Sequence, residues 1–320
     1  MNAFFDYLLL SIAFGMTFLF GCTGEIITEK AGHLNLGIPG IMCVGGAAGC
    51  AAIWLLGMFP IPVHPVLIVL IAILASFIGG MLMGALYSFL AVTLKANQNV
   101  TGLAMTTFGV GVTKFIMAEM AKDPMKYLYA LDYFRFPFAS QTTALKYYGV
   151  MVLLAVVIAL VTAFVLYRTR IGLHLRAVGE NPATADAAGI NITLYKYLAT
   201  CIGSGVAALG GLFYIMDYMG SVEAYKTIEP LGWLAVALVI FTLWRPHLSV
   251  FGSVIFGALF FAGSHLPIML NINLDMSIKP FLQMLPYVVT IIVLIITSVR
   301  KKKENQPPAS LGLSYFREDR

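Results

Sequence analysis

Charged residues are scarce in this sequence. Asp, Glu, Lys and Arg make up 11% of its 320 residues, against about 25% in a soluble globular domain. A surface so poor in charge does not face water over most of its area. Cysteine is scarce too. Cys22, Cys43, Cys50 and Cys201 all fall in apolar stretches, which suits core-packing residues and not a disulfide framework or a thiolate metal site. The five histidines stand at none of the spacings that bring two ligands to one metal, so no metal is expected. No G-x-x-x-x-G-K-[ST] loop occurs, so the chain does not cradle ATP by that device. No G-x-S-x-G elbow occurs either, and the sequence offers no catalytic residues. The opening MNAFFDYLLL lacks the basic region of a secretory signal, and no small-residue cleavage site is evident near residue 20. The first apolar stretch is therefore expected to stay as a helix.

What is there is apolar. Residues of the hydrophobic types make up 60% of the chain, and the mean hydropathy is +0.88. A spanning helix needs roughly 20 apolar residues. Apolar runs at 4–23, 37–57, 66–94, 101–118, 147–167, 195–216, 231–244, 248–270 and 281–299 give nine spans. The expected fold is an all-α integral membrane bundle of about eight to ten transmembrane helices, filling 1–300, with a polar tail at 301–320. The run at 37–57 is rich in glycine and is a weak span, open to being broken or re-entrant. The run at 231–244 is short. Gly45 and Gly49, and Gly80 and Gly84, stand four apart, a spacing that lets helix backbones approach closely in lipid.

The net charge of +5 is distributed as a membrane topology demands, which fits a lipid setting and not nucleic acid. With alternation through nine spans, one side holds Lys30, Lys95, Arg168, Arg170, Arg176, Lys196, Arg245, Arg300 and the basic residues of the tail, thirteen in all. The other side holds Lys122, Lys126, Arg135, Lys146, Lys226 and Lys279, six in all. The positive-inside rule then puts the C-terminus in the cytoplasm and the N-terminus outside. The longest outer loop, 119–146, carries Tyr127, Tyr129, Tyr133, Phe134, Phe136 and Phe138. It reads either as an interfacial aromatic belt or as a docking surface for an extracytoplasmic partner.

The loop at 168–193 is the most constructed segment outside the spans. Asn181 suits a helix N-cap and Pro182 the first helical position. Ala183, Thr184, Ala185, Asp186, Ala187 and Ala188 continue the helix, and Gly189 suits a left-handed stop. The pattern predicts a capped helix of about two turns between two spans, flanked by Arg170, Arg176 and Glu180. It serves either as an ordinary interfacial helix or as a rigid contact with another subunit.

The segment GLHLRAVGENPATADAAGI, 172–190, resembles the cytoplasmic loop of permeases in the ABC import superfamily that serves ribose-type sugars, nucleosides and branched-chain amino acids. The pattern there runs near G-x-x-L-R-A-V-G-x-N-P-x-A-A-x-x-A-G-I, and Asp186 is a mild departure from it. GEIITEKAGHLNLGIPGIM, 24–42, resembles the G-E-x-x-x-E-R-A-G-x-x-N-L-G-x-x-G-x-M stretch of the nucleoside and simple-sugar branch, with Lys30 for Arg and Pro39 for Glu. LGWLAVALVIFTLWRP, 231–246, is similar to that branch's G-W-x-A-I-A-x-A-L region. PPASLGLSYFREDR, 307–320, is similar to its P-A-x-L-G-x-P-Y-x-R-E-x-R ending, with Ser314 for Pro.

The resemblance implies a permease subunit of an ATP-driven importer working by alternating access. ATP would bind a separate cytoplasmic ATPase, and no cofactor would sit on this chain. It also implies a second permease, in this branch often a different chain, an extracytoplasmic substrate-binding protein, and residence in the cell (inner) membrane. A nucleoside or ribosyl or simple-sugar compound stands ahead of a branched-chain amino acid as substrate. Contacts with the ATPase fall to Arg176, Gly179, Glu180, Asn181, Pro182, Ala183, Asp186 and Gly189. Glu25 and Glu29, four apart, read as contacts at the cytoplasmic end and not as a catalytic dyad. Candidates to line the substrate path are Asn35, Asn97, Thr106, Thr107, Tyr214 and Trp233, since amides and hydroxyls follow sugar or base edges and rings stack on bases. The same residues also serve as interhelical glue, and capping accounts for the polar turn at Asn97, Gln98 and Asn99. Two other classes stand behind this one, a stand-alone secondary transporter and a membrane-embedded enzyme or scaffold. Ion-coupled carriers hold ionisable groups at membrane depth. The spans read here hold almost none, Lys114 and Asp217 standing near their ends.

Overall fold

A computed structural model of the chain describes residues 3–59, 63–141, 143–269, 281–282, 284–300 and 306–316. Lys279 and the tail residues 301–305 and 317–320 lie outside them. The described residues form helices and turns and no strand. In chain order the helices are α1 (Ala3–Glu29), α2 (Ile38–Leu56), α3 (Pro65–Ser88), α4 (Gln98–Met120), α5 (Met125–Leu128), α6 (Leu131–Phe134), α7 (Val150–Arg168), α8 (Arg170–Glu180), α9 (Pro182–Ala187), α10 (Ile192–Leu212), α11 (Ile228–Phe241), α12 (Pro246–Met269) and α13 (Leu285–Arg300). Seven helical segments are long and apolar enough to cross a membrane, and α12 and α13 contain two shorter apolar helices. The nine expected spans therefore all appear as helices.

α10 is the central post, with its strongest contacts to α1, α2 and α3. Lipid tails are as apolar as leucine, so close van der Waals packing between small residues does most of the work of association. The residues at the crossings are small. A Cβ on Gly45 would fall 2.6 Å from the Ala208 backbone, and one on Gly80 would fall 2.5 Å from the Ser204 carbonyl oxygen. A Cβ on Gly84 would fall 2.7 Å from the Thr200 carbonyl oxygen, and one on Gly49 would strike the Leu212 side chain at 2.6 Å. α2, the glycine-rich run, is consequently one unbroken 19-residue helix. Its glycines are contact surfaces against α4 and α10, not breaks. The outward faces carry Leu82, Phe115, Leu153 and Phe251, each more than 65% exposed, as expected where the neighbour is hydrocarbon.

Two helices end in π-turns, α3 at Phe89–Thr93 and α10 at Phe213–Met219. The short seventh span, α11, is preceded by a 3-10 turn at Val222–Thr227. It stops at Leu243 and Trp244, which hold φ of 54° and 56°, before Pro246 opens α12.

The chain ends sort by face. Residues 30–37, 94–97, 168–193, 243–247 and 306–316 gather at one end of the bundle, here termed the basic face. Residues 119–141, 143–149 and 220–227 gather at the other. There Trp54 donates to the Asp123 carbonyl (3.3 Å), Tyr148 to Leu9 (2.8 Å), and Arg135 to the carbonyls of Asp217 (2.7 Å) and Tyr218 (3.1 Å). Of the aromatic residues in 119–146, Tyr127 and Phe134 are fully buried while Phe136 is 67% exposed. The loop is thus a folded cap with a partly aromatic outer surface.

Candidate functional site

The capped helix expected at 181–189 is present and is preceded by a second one. Thr169 caps α8 by accepting from the Gly172 amide (3.2 Å). Asn181, with extended backbone at φ −149°, ends α8 and caps α9, its side chain accepting from the Thr184 amide (3.0 Å). Pro182 is the first residue of α9. Gly189, at φ +80°, closes it with paired bonds from the Ile190 amide to Ala185 (3.0 Å) and from Gly189 to Asp186 (3.0 Å), the Schellman arrangement. Val178, Ala185 and Ile192 form a small core of their own, packed by Ile190, Tyr195 and Tyr315. α8 and α9 are thereby one rigid elbow. Ala183, Thr184, Ala187, Ala188 and Gly189 lie bare on its outer side, and Glu180 is exposed beside them.

The elbow is pressed against the bundle at Gly179. A Cβ there would strike the Lys30 carbonyl oxygen and lie 3.2 Å from the Gly32 amide. From the other side the tail clamps it. Ser310 donates its amide (3.0 Å) and its hydroxyl (2.5 Å) to the Gly179 carbonyl, and Gly312 donates to the Gly32 carbonyl (3.2 Å). The Gln98 amide group donates to the Leu313 carbonyl (3.4 Å), and Tyr315 donates to the Asp186 carboxylate (3.0 Å). The described part of the polar tail is therefore a strap across the basic face, holding α9, the end of α8 and the α1–α2 turn in one register.

Below the elbow, α1 carries two carboxylates in its last turns, both at most 3% exposed. Glu25 accepts from the Asn35 backbone N–H (3.2 Å). Glu29 accepts from the indole N–H of Trp244, which sits in the strained turn between α11 and α12. His33 shares a 2.8 Å hydrogen bond with Thr200, and burial, aided by the Lys196 charge, holds its pKa well below the ordinary imidazole value. The 24–42 stretch and the 231–246 stretch thus meet at one junction that joins α1, α2, α10, α11 and α12. Arg176 stacks on Tyr167 (5.3 Å) and lines a second cleft with Lys30, Glu180, Arg245 and His247.

The candidate path residues do not assemble into one cavity. Asn35 is fully buried; its carbonyl accepts from the Gly37 amide (3.0 Å), and its amide nitrogen finds no partner among the described residues. Thr106 donates to the Leu36 carbonyl (2.8 Å), so these two lie together at the α1–α2 turn. Asn97 caps α4 at the Val100 amide (3.1 Å). Thr107 is exposed and bonds its own helix at Leu103 (3.2 Å). Tyr214 accepts from Thr227 (2.9 Å) in an aromatic cluster with Phe14 and Tyr218. Trp233 is half-buried on α11. A cavity of ≈ 520 Å³ that the sequence did not reveal opens between α2, α4 and α11, lined by Cys43, Thr113, Lys114, Tyr225, Lys226 and Glu229 among others. Sequence spacing gives no sign of it, because its walls come from three separate helices.

A polytopic helical bundle with glycine-packed crossings and a rigid, outward-facing elbow between two spans defines a multi-pass membrane permease. The chain belongs to the family described as branched-chain amino acid transport system / permease component, which matches residues 7–297. Among curated relatives, a putative glucose ABC transporter permease protein of Haloferax volcanii is 30% identical, with 92% of each chain covered. A nucleoside ABC transporter permease protein of Lactococcus lactis subsp. cremoris is 30% identical, covering 86% of this chain and 87% of the relative. A guanosine ABC transporter permease protein of Bacillus subtilis is 27% identical, covering 85% of each. No solved structure matches the chain.

Proposed function

We propose that this chain is the membrane-spanning subunit of an ATP-driven importer for a nucleoside or a related ribosyl or simple-sugar compound. The observation that carries the reading is the α8–α9 elbow, a double-capped unit with a bare outer side and a glycine-only contact with α1 beneath it. Such a unit transmits a push as a lever does, because neither its caps nor its contact can yield without loss of packing. The excess of Lys and Arg on the basic face supports a cytoplasmic position for it, where a separate ATPase would seat on Ala183, Thr184 and Ala187. ATP-driven closure would move the elbow. Gly179 would pass the movement to the end of α1, and the Glu29–Trp244 bond would pass it to the α11–α12 junction. The bundle would then open alternately to either side. The cavity at Lys114, Tyr225 and Glu229, near the opposite face, is the chamber we assign to arriving solute from a binding protein. A second permease chain would complete the path.

The relatives named for glucose, nucleosides and guanosine support the substrate class. The test is uptake of radiolabelled nucleosides, ribose and leucine by cells with and without the chain, with ATP depletion as a further arm. ATP-dependent uptake of a nucleoside or sugar that disappears on deletion is the expected result. Loss of leucine uptake alone would move the substrate to the amino-acid class. Uptake that persists after ATP depletion would indicate a self-powered carrier.

A further inference from the structure

A cavity of ≈ 500 Å³ opens on the basic face between the end of the α3 π-turn, the start of α10 and the strap. Its walls include Asp186 and Gly189 of the elbow and Tyr315 of the strap, but not Gly179 or the Glu29–Trp244 bond through which the coupling route runs. Three features make it electropositive. The first turn of α10 opens into it through Asn191, Ile192 and Thr193. Asn191 caps the Leu194 amide (3.0 Å), while the earlier amides of that turn have no intrahelical acceptor and carry the positive end of the helix dipole. Lys95 stands on the rim, its ammonium 4.1 Å from the Phe316 ring centre. Lys196 lines the cavity while only 3% exposed, and it makes no hydrogen bond or ion pair with any described residue. A buried ammonium that pairs with no anion is costly. Asp186, the acidic residue on the wall, accepts from Tyr315 and keeps its negative charge, so the wall carries the two cations Lys95 and Lys196 against one carboxylate, and buried His33 adds no negative charge.

The surroundings identify what bears the anion. Thr93 and Tyr197 hydrogen-bond across the seam between the π-turn and α10. On either side of this seam Phe89, Leu94, Leu194 and Leu198 are 48–58% exposed. Leu194, Leu198 and Ile202 form one stripe along α10, and Leu82, Leu86 and Phe89 form another along α3. Apolar stripes running from the rim of a basic pocket match an acyl chain continuing from a phosphate. We infer that this cavity binds the phosphate group of an anionic membrane phospholipid, with Lys196, Lys95 and the α10 N-terminus as its donors.

The test is native mass spectrometry of the full-length chain in its purified assembly, stripped of lipid and titrated with phosphatidylglycerol. Phosphatidylcholine serves as the zwitterionic control and inorganic phosphate as the competitor. Retention of phosphatidylglycerol, reduced roughly fivefold by Lys196→Met and by Lys95→Gln and kept by Lys196→Arg, is the expected result. Lys95 lies at an exposed position, so its variant keeps the test open if Lys196→Met fails to fold. Equal retention in wild type and both charge-removing variants would overturn the site. Phosphatidylcholine bound as well as phosphatidylglycerol would overturn the anionic lipid as the ligand, and displacement of the lipid by inorganic phosphate would overturn a lipid as the source of the phosphate. The readout is lipid retention and not uptake, so it stands or falls apart from the transport reading.

Discussion

Replacing Gly179 by alanine adds one methyl group at the point where the elbow meets the bundle. That methyl would strike the Lys30 carbonyl oxygen and come within 3.0 Å of its carbon and 3.2 Å of the Gly32 nitrogen. All three are backbone atoms, so no side chain can rotate away. The Ser310 hydrogen bonds to the Gly179 carbonyl resist retreat on the other side. Overpacking of this kind costs about 1–3 kcal/mol, which lowers the docked population of the elbow relative to the undocked by roughly five- to 150-fold. The amides of α8 and α9 report that equilibrium through hydrogen exchange, and their protection should fall by the same factor in the purified protein. In proteoliposomes carrying the complete transporter, more ATP should be hydrolysed per solute moved. Gly111→Ala is the control. A Cβ there meets nothing within 4 Å, and alanine is the better helix former by about 1 kcal/mol. Unchanged protection of α8 and α9 in Gly179→Ala would refute the contact as a rigid one.

Gly189→Ala meets no atoms but must hold φ +80°, at a cost of about 1–2 kcal/mol. Gly189→Asn should cost less, and hydrogen exchange of the Ile190 amide should rank glycine, asparagine and alanine in that order. Trp244→Phe leaves the buried Glu29 without its indole donor, which should destabilise the detergent-solubilised protein by about 1–3 kcal/mol, read as a lowered unfolding temperature. His33 titrates well below its ordinary value in the folded chain, so below about pH 6.5 the unfolded chain binds a proton that the folded one refuses. Stability should therefore fall as pH drops below that value and show no His33 contribution above it. His33→Gln should lessen the fall in unfolding temperature toward acid pH.

The spans were legible because lipid demands long apolar helices and little else, and a run of 20 apolar residues is a local feature. The helix at Pro182–Ala187 was legible for the same reason. Its cap, first residue and glycine stop all lie within nine residues of one another. α8 has no apolar run to announce it, because Arg170, Arg176 and Glu180 lie among its eleven residues and its buried side is only Gly172, Leu175, Val178 and Gly179. The strap looks like a plain polar tail in the sequence. Ser310 and Gly179 are 131 positions apart, and no local pattern announces a contact of that range. Thr107 shows a limit of residue-type reasoning. Its hydroxyl resembles that of Thr106, yet one residue along a helix turns it 100°, out of the bundle and onto its own backbone. Glu25 and Glu29 fell just beyond the first apolar run, but α1 continues through both, so the two carboxylates lie within the bundle.

The measurement that bears most directly on the account is a site-specific cross-link from the elbow to the ATPase. Thr184 is exposed on α9, and the native Cys22, Cys43 and Cys50 are buried. With Cys201 changed to serine, a cysteine at position 184 gives a single accessible thiol among the described residues. The account predicts that this thiol cross-links to the ATPase in membranes, that ATP changes the yield, and that the cross-link stops solute uptake. A Thr184→Cys protein that forms no cross-link, or whose cross-link leaves uptake intact, would contradict it.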